Sequence, residues 1–184
     1  MRVIAGKAKG QRLIAPKCRT TRPATDLIKG VIFSILENLT DDWEQVLDLF
    51  AGSGALGIEA LSRGAGCVDF VEHEPRCCDI IRQNLIKTKL NAQAHVYCSS
   101  VAKIFSFLDK EYSIILMDPP FTDPAIDRTI TQLATSRLAG ETSILVVRHS
   151  SRVSLNPVYS DLHLIKERCH GDSCVAVFHK EVTS

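Results

Sequence analysis

The feature that most constrains this chain is a regular alternation of short apolar runs with longer segments of helical periodicity. The apolar runs are residues 45–50, 67–72, 94–98, 112–117 and 143–147. The helical segments between them lie near residues 54–63, 75–88, 101–109 and 124–137. Nearly continuous apolar strands that alternate with helices are typical of a parallel sheet covered by helices on both faces.

The N-terminal part of the chain is patterned differently. Strand-like residues 2–6 and 11–15 flank a turn and predict a small β-hairpin. Thr25 or Asp26 can cap a helix that runs to about residue 39. A hairpin and a helix therefore precede the first parallel strand.

The C-terminal part also changes character. Residues 161–168 and 173–180 predict two antiparallel strands that extend the five parallel ones. The expected fold is a Rossmann-like α/β domain with a mostly parallel seven-stranded sheet, helices on both faces and the small N-terminal hairpin. We divide the chain into the basic hairpin and loop at 1–24 and the main domain at 25–184.

Composition narrows the class of protein. The chain has 184 residues, of which 45% are hydrophobic and 23% charged, and this fits one globular domain. No apolar run approaches the roughly 20 residues that span a membrane. The first seven residues contain no secretory signal. We therefore expect no membrane association.

The cysteines and histidines form no recognisable metal motif. The seven cysteines are irregularly spaced without a Cys-x-x-Cys pair, and the six histidines are scattered. Cys169 and Cys174 flank a predicted turn and could at most form a small staple. We expect reduced thiols and no metal site.

Charge is distributed unevenly along the chain. Residues 1–29 contain eight bases and one acid, a net charge of +7, whereas the remainder has a net charge of −6. Solubility alone does not require such a division. A basic N-terminal arm on a mildly acidic body indicates that a polyanion binds at one end.

A glycine pattern connects the first parallel strand to the next helix. Gly52, Gly54 and Gly57 form a Gly-x-Gly-x-x-Gly sequence, and ligands bind beyond such strand ends. The pattern alone is weak and also fits a dinucleotide. Asp48 disfavours a pyrophosphate and favours an amine or sulfonium, as in S-adenosylmethionine. Glu72 follows Gly54 by 18 residues, a spacing suited to the ribose hydroxyls of either cofactor.

The sequence Met-Asp-Pro-Pro-Phe follows the fourth parallel strand, at the same predicted edge of the sheet. Proline cannot continue a strand ladder, so Pro119 and Pro120 stiffen the backbone directly after Asp118. The Asp118 carboxylate and the Pro119 carbonyl can accept the N–H groups of a nucleobase amine, and Phe121 can stack on the base. Acceptors in fixed geometry favour methyl transfer to that amine through positioning and electrostatics.

These motifs match a known family. The chain resembles the RsmD-type methyltransferases, which methylate the N2 amine of one guanine in bacterial small-subunit ribosomal RNA. The resemblance covers nearly the whole chain. The matching segments are residues 2–6, 9–13, 22–26, 33–36, 48–65, 70–72 and 118–121.

The resemblance implies a role for individual residues. Asp118, Pro119 and Phe121 would hold and stack the guanine. The residues that would bind S-adenosylmethionine are Asp48, Gly52, Ser53, Gly54, Glu72, Ser100 and Thr25. The residues that would face RNA or close over the cofactor are Arg2, Lys7, Lys9, Arg12 and Arg22.

Three sites depart from the family pattern. Ser99 and Ser100 stand where an acid near the adenine is common. Arg148 replaces an acid at the end of the fifth strand, and His170 replaces a tyrosine before Gly-Asp. These changes bear on adenine contacts and substrate recognition rather than on methyl transfer.

The expected enzyme transfers a methyl group from S-adenosylmethionine to guanine N2 of 16S ribosomal RNA and releases S-adenosylhomocysteine. We expect a cytoplasmic monomer that acts on an assembled or assembling small ribosomal subunit. An adenine-N6 DNA or RNA methyltransferase is an alternative, although a DNA enzyme would need a target-recognition domain. Two further alternatives are a non-catalytic RNA-binding protein and a nicotinamide dehydrogenase.

Overall fold

The computed structural model describes residues 1–16, 25–121 and 123–180. The helices are α1 (Asp26–Leu39), α2 (Ala55–Arg63), α3 (Pro75–Thr88), α4 (Val101–Ile104) and α5 (Ile126–Ala134). The strands are β1 (Gln45–Leu49), β2 (Cys67–Glu72), β3 (Ala94–Cys98), β4 (Tyr112–Met117), β5 (Ala139–Ser150), β6 (Val158–Tyr159), β7 (Leu162–His170) and β8 (Ser173–Lys180). Within these ranges, every helix is too short or too polar to cross a bilayer.

The strands form one mixed sheet in the order β3-β2-β1-β4-β5-β8-β7-β6. Strands β1 to β5 pair in parallel, and β8, β7 and β6 continue the sheet antiparallel. The predicted Rossmann-like α/β class is confirmed. The predicted seven strands become eight because β6, only two residues long, adds an edge strand that is too short to show a periodic pattern.

The order of the strands reverses beside β1. The chain proceeds outward from β1 to β2 and β3, and it then returns to place β4 on the other side of β1. Leu49 at the end of β1 pairs with Met117 at the end of β4. A switch point of this kind opens a crevice at the carboxyl ends of the strands, where ligands bind in open α/β sheets.

Helices cover both faces of the sheet and create two apolar clusters. Helices α1, α2 and α3 contribute Phe33, Ile58 and Ile81 to one cluster. Helices α4 and α5 contribute Ile104 and Ile130 to the other. Burial on both faces explains why the parallel strands are apolar at nearly every position.

Helix α4 is shorter than predicted. The helical pattern suggested residues 101–109, but the helix ends at Ile104. Tight turns follow, in which the Ser106 hydroxyl donates to the Lys103 carbonyl at 2.7 Å. Serine favours such local bonds over continued helix.

The N-terminal hairpin exists without regular strands. Arg2 and Arg12 form a single antiparallel bridge, in place of the five-residue strands predicted at 2–6 and 11–15. The amides of Ile4 and Ala5 instead donate to the Glu59 carboxylate, each at 2.9 Å. These donors are therefore not available for a ladder within the hairpin.

Buried polar groups fix this hairpin to α2. Glu59 is fully buried, and its carboxylate also accepts from Lys29 and Arg63, both at 3.1 Å. Gly6 lies so close to α2 that an added Cβ would be 1.8 Å from the Ser62 carbonyl oxygen. The predicted boundary at residue 24 and the predicted RNA contact Arg22 lie outside the described residues.

The prediction that all thiols are reduced is wrong for one pair. Cys169 and Cys174 form a disulfide across the β7–β8 hairpin. The two residues pair directly in the ladder, with Cα atoms 4.0 Å apart, which places their side chains side by side. The described cysteines outside this disulfide are Cys67, Cys77, Cys78 and Cys98.

Candidate active site

The glycine loop lies at the switch point, between β1 and α2. Gly52 and Gly54 have φ angles of 57° and 76°, in the left-handed region that glycine adopts without steric penalty. Gly54 is the N-cap residue of α2. Gly57 has a different role, because an added Cβ would lie 2.3 Å from the Phe70 ring. Gly57 allows α2 to pack closely on β2, whereas Gly52 and Gly54 shape the loop.

Glu72 joins the end of β2 to this loop. One carboxylate oxygen accepts from the Gly52 amide at 2.8 Å, and the other accepts from the Glu74 amide at 2.9 Å. The side chain is only 7% exposed and lies 3.0 Å from His73 Nδ1. The structure thus brings together Glu72 and Gly52, which the sequence predicted as parts of one ligand site.

Asp48 lies beneath the loop rather than at its surface. The residue is 1% exposed, and its carboxylate accepts from the Gly57 amide at 2.8 Å. The pKa of Asp48 is raised to about 8, chiefly by burial and in smaller part by the negative charges of Asp118 and Glu72, although the hydrogen bond from the Gly57 amide opposes this rise. Three acidic side chains therefore act on one another at this edge of the sheet, which favours a cationic ligand.

Asp118 follows β4 and is held by Arg148 of β5. Arg148 Nη1 lies 3.1 and 3.0 Å from the two carboxylate oxygens, and Arg148 Nε donates to the Ser173 hydroxyl at 2.9 Å. The Asp118 side chain is 19% exposed, whereas that of Arg148 is 3% exposed. Burial raises the pKa of Asp118 to about 6, although the Arg148 charge and hydrogen bond oppose this rise.

Arg148 also organises the aromatic residue of the motif. Its guanidinium carbon lies 4.8 Å from the centre of the Phe121 ring, a cation–π contact. Pro119 is buried and Pro120 is exposed. The sequence identified Arg148 only as a departure from the family. The contact between Arg148 and Asp118 could not be predicted from the sequence, because it depends on the pairing of β4 with β5. This pairing places the ends of the two strands side by side.

The other predicted cofactor residues occupy varied positions. Ser53 is buried, and its hydroxyl lies 3.5 Å from Met1 Sδ. Thr25 caps α1, as predicted, by accepting from the Ile28 amide at 3.3 Å. Ser100 precedes α4, and the Ser99 amide donates to the Glu72 carbonyl at 2.9 Å. Ser99 therefore lies next to the end of β2, and Ser100 follows it in the chain.

The predicted RNA-facing residues Arg2, Lys7, Lys9 and Arg12 are all exposed on the hairpin. Arg2 also pairs with Asp26 at 2.8 Å. Lys29, which adds to the basic charge of this region, is fully buried against Glu59 and is not available to a polyanion. A single acid within the apolar run Ile58 to Leu61 was the only sequence signal for this buried pair.

A second basic surface lies between α1 and β7. A groove of about 550 Å³ has Lys166, Arg168 and His170 along one side. The exposed apolar side chain of Leu27 is part of the same groove. His170, which departs from the family pattern, is therefore placed in this groove with Lys166 and Arg168.

The reversal at β1, the glycine loop and the acid that ends β2 define a class I S-adenosylmethionine-dependent methyltransferase fold. A solved Escherichia coli structure, "Putative methyltransferase yhhF", aligns with a TM-score of 0.87 and 27% identity over 100% of this chain and 99% of its own. The family described as "Conserved hypothetical protein 95" matches residues 1–179. The chain belongs to this family, the RsmD-type family.

Curated relatives match over almost the same length. The Bacillus subtilis protein "Putative rRNA methyltransferase YlbH" is 33% identical over 183 residues, which are 98% of this chain and 99% of that protein. The Escherichia coli "Ribosomal RNA small subunit methyltransferase D" is 29% identical over 181 residues, 98% of this chain and 90% of that protein.

Proposed function

We propose that this protein transfers a methyl group from S-adenosylmethionine to the N2 amine of a guanine in 16S ribosomal RNA. The observation that carries the proposal is the position of Asp118 and its two prolines at the switch point, beside the glycine loop. The names of relatives that match the whole chain support ribosomal RNA of the small subunit as the substrate. We further propose that it acts in the cytoplasm, as a monomer, on an assembled or assembling subunit.

The residues at the switch point fit the proposed cofactor. Asp48, Glu72 and Asp118 place three acidic side chains there. Burial raises the pKa of Asp48 to about 8, and a ligand with a sulfonium and an amine would lower it again by favouring the ionised carboxylate. Gly52, Ser53 and Gly54, with Asp48 and Glu72, would hold the cofactor, and Ser100 and Thr25 would complete its contacts. When bound, S-adenosylmethionine supplies an electrophilic methyl group.

Asp118 would position the amine that accepts this group. An exocyclic amine is a weak nucleophile because its lone pair is delocalised into the ring. The Asp118 carboxylate and the Pro119 carbonyl would accept its N–H groups, and Phe121 would stack on the base. Arg148 contacts both carboxylate oxygens from the protein side, which fixes the direction of the carboxylate.

The assignment is tested on the proposed substrate itself. Small ribosomal subunits from a strain without this gene are incubated with the protein and labelled S-adenosylmethionine, and the RNA is digested to nucleosides. We expect the label in N2-methylguanosine. Label only in N6-methyladenosine would overturn the guanine assignment, and absence of label would overturn methyl transfer to this RNA.

The ion pair predicts a particular dependence on pH. Asp118 must be ionised to accept an N–H group, and its pKa of about 6 predicts that kcat/KM rises through this pH. Arg148→Met removes the charge that opposes the effect of burial, so the rise should move to higher pH and activity at pH 6 should fall about tenfold. Arg137→Met is the control, because the Arg137 side chain is 83% exposed and pairs with the exposed Asp109. An unchanged profile in Arg148→Met would contradict the role given to this pair.

The basic hairpin predicts binding that depends on salt. Changing Lys7, Lys9 and Arg12 together to Gln should weaken RNA binding and lower the slope of log K against log salt by about 2–3. The matched control neutralises Lys87, Lys89 and Arg137, three exposed bases that precede β3 and β5 and do not belong to the hairpin. Equal loss of slope in both variants would show that the hairpin is not the RNA contact.

A further inference from the structure

A cysteine, an aspartate and a histidine meet on β2 and β3, away from the switch point. Cys67 Sγ lies 3.7 Å from His95 Nδ1, and His95 Nδ1 lies 3.0 Å from Asp69 Oδ1. These three atoms all lie within 4.8 Å of one another. Cys67 and Asp69 are two residues apart on β2, so both point to the same face, and His95 pairs with Asp69 across the ladder.

The dimensions of this cluster match those of a zinc site. Zinc bound tetrahedrally by sulfur, nitrogen and oxygen holds its ligand atoms roughly 3.3–3.6 Å apart. Cys67 Sγ and Asp69 Oδ1 lie 3.7 and 3.0 Å from His95 Nδ1, close to this range, and the remaining separation is within 4.8 Å. A thiolate and an imidazole favour zinc and similar borderline metals over magnesium or calcium.

The surroundings of Asp69 direct one oxygen towards the cluster. Its Oδ2 accepts from the Tyr112 hydroxyl at 2.6 Å and lies 2.9 Å from Lys110 Nζ. The Asp69 side chain is fully buried, so these donors hold the carboxylate in one orientation and leave Oδ1 facing His95. Hydrogen-bonded partners that orient the ligands in this way are common at metal sites.

The cluster is accessible and separate from the proposed methyl-transfer site. The His95 side chain is 62% exposed, so an ion can reach the ligands from solvent. Cys67 begins β2 and Glu72 ends it, which separates the two sites by roughly 17 Å at the rise of a strand. In the part of the chain that the structure describes, strand β3 is at the edge of the sheet, with β2 as its neighbour.

We propose that Cys67, Asp69 and His95 form a zinc site that joins the edge strand β3 to β2, with water as the fourth ligand. The three ligands come from two strands, so their sequence spacing matches no local metal motif. The thiol of Cys67 loses its proton on binding, and the proton passes to solvent. The role is structural, and it does not depend on the proposed methyl transfer.

Cobalt provides a direct probe of the thiolate. We expect Co²⁺ added to the full-length protein to produce a thiolate-to-metal absorption band, which stoichiometric Zn²⁺ then removes. Cys67→Ser should abolish the band, and His95→Ala should weaken Co²⁺ binding by about 10- to 100-fold or more. Cys98→Ser is the matched control and should retain the band. Cys98 is an exposed free thiol on β3, the strand that contains His95.

Thermal melting provides a second measurement. Zn²⁺ should raise the Tm of the wild type and of Cys98→Ser, and it should not raise that of Cys67→Ser or His95→Ala. Failure of the wild type to produce the cobalt band would overturn the proposal. A band that persists unchanged in Cys67→Ser or His95→Ala would also overturn it, since the metal would then bind other residues.

Discussion

Replacing Asp118 with alanine is expected to lower kcat for methyl transfer by about 10²- to 10³-fold, because the amine loses its fixed acceptor. Binding of S-adenosylmethionine should persist, since the Gly52 loop is held by Glu72 rather than by Asp118. The measurement combines single-turnover methylation of small subunits with calorimetric titration of the cofactor. The decisive result is a large loss of kcat with S-adenosylmethionine binding retained.

Asp123→Ala is the matched control for this substitution. Asp123 belongs to the same loop, but its carboxylate accepts from the Ala125 amide at 2.9 Å in the turn before α5. Its loss should change kcat by less than about twofold, as is usual for a surface substitution. Asp118→Ala with nearly normal kcat, or with cofactor binding lost as well, would refute the positioning role of Asp118.

Replacing Glu59 with alanine is expected to destabilise the protein by about 3–5 kcal/mol, because Lys29 would be left as an unpaired buried charge. The amides of Ile4 and Ala5 would also lose their acceptor. For a chain of this size, the loss corresponds to a decrease in Tm of about 6–20 °C. Hydrogen exchange should show that these two amides become unprotected before the sheet does.

The comparison for this prediction is Glu37→Ala. Glu37 and Glu59 both pair with Arg63, and the Glu37 distance is 2.6 Å. Unlike that of Glu59, the Glu37 side chain is 51% exposed. An exposed pair contributes about 0–1 kcal/mol, so the Tm should change little. Glu59→Gln preserves the shape of the side chain and should lie between the two variants. Equal stabilities of Glu59→Ala and Glu37→Ala would disprove the anchoring role.

The sequence predicted the parallel strands and the helices between them because burial on both faces leaves mostly apolar residues in inner strands such as β1 and β4. It did not predict β6, which is two residues long, or the early end of α4 at Ile104. It gave the β7–β8 disulfide only as a possible small staple, since pairing of Cys169 with Cys174 depends on the register of the hairpin. Local pattern is informative where an element is long and its environment is uniform.

The candidate site was predicted less completely. Asp48, Glu72 and Asp118 were placed at the correct edge because the carboxyl ends of parallel strands meet there. The burial of Asp48 under the loop and the contact between Arg148 and Asp118 were not predicted. Both depend on which strands become neighbours, and residues 118 and 148 are 30 positions apart in sequence.

The hairpin has a consequence for synthesis of the chain. Its bonding partners on α2 and α3 follow it by 54 to 70 residues, as in the bond from the Ile14 amide to Asn84. At translation rates of about 5–20 residues per second, the hairpin emerges about 4–14 s before its last partner. During that interval Val3, Ala8 and Leu13, which are buried in the finished protein, lack the cover that α2 and α3 provide. We therefore expect chaperones to bind the nascent hairpin until Asn84 has been translated.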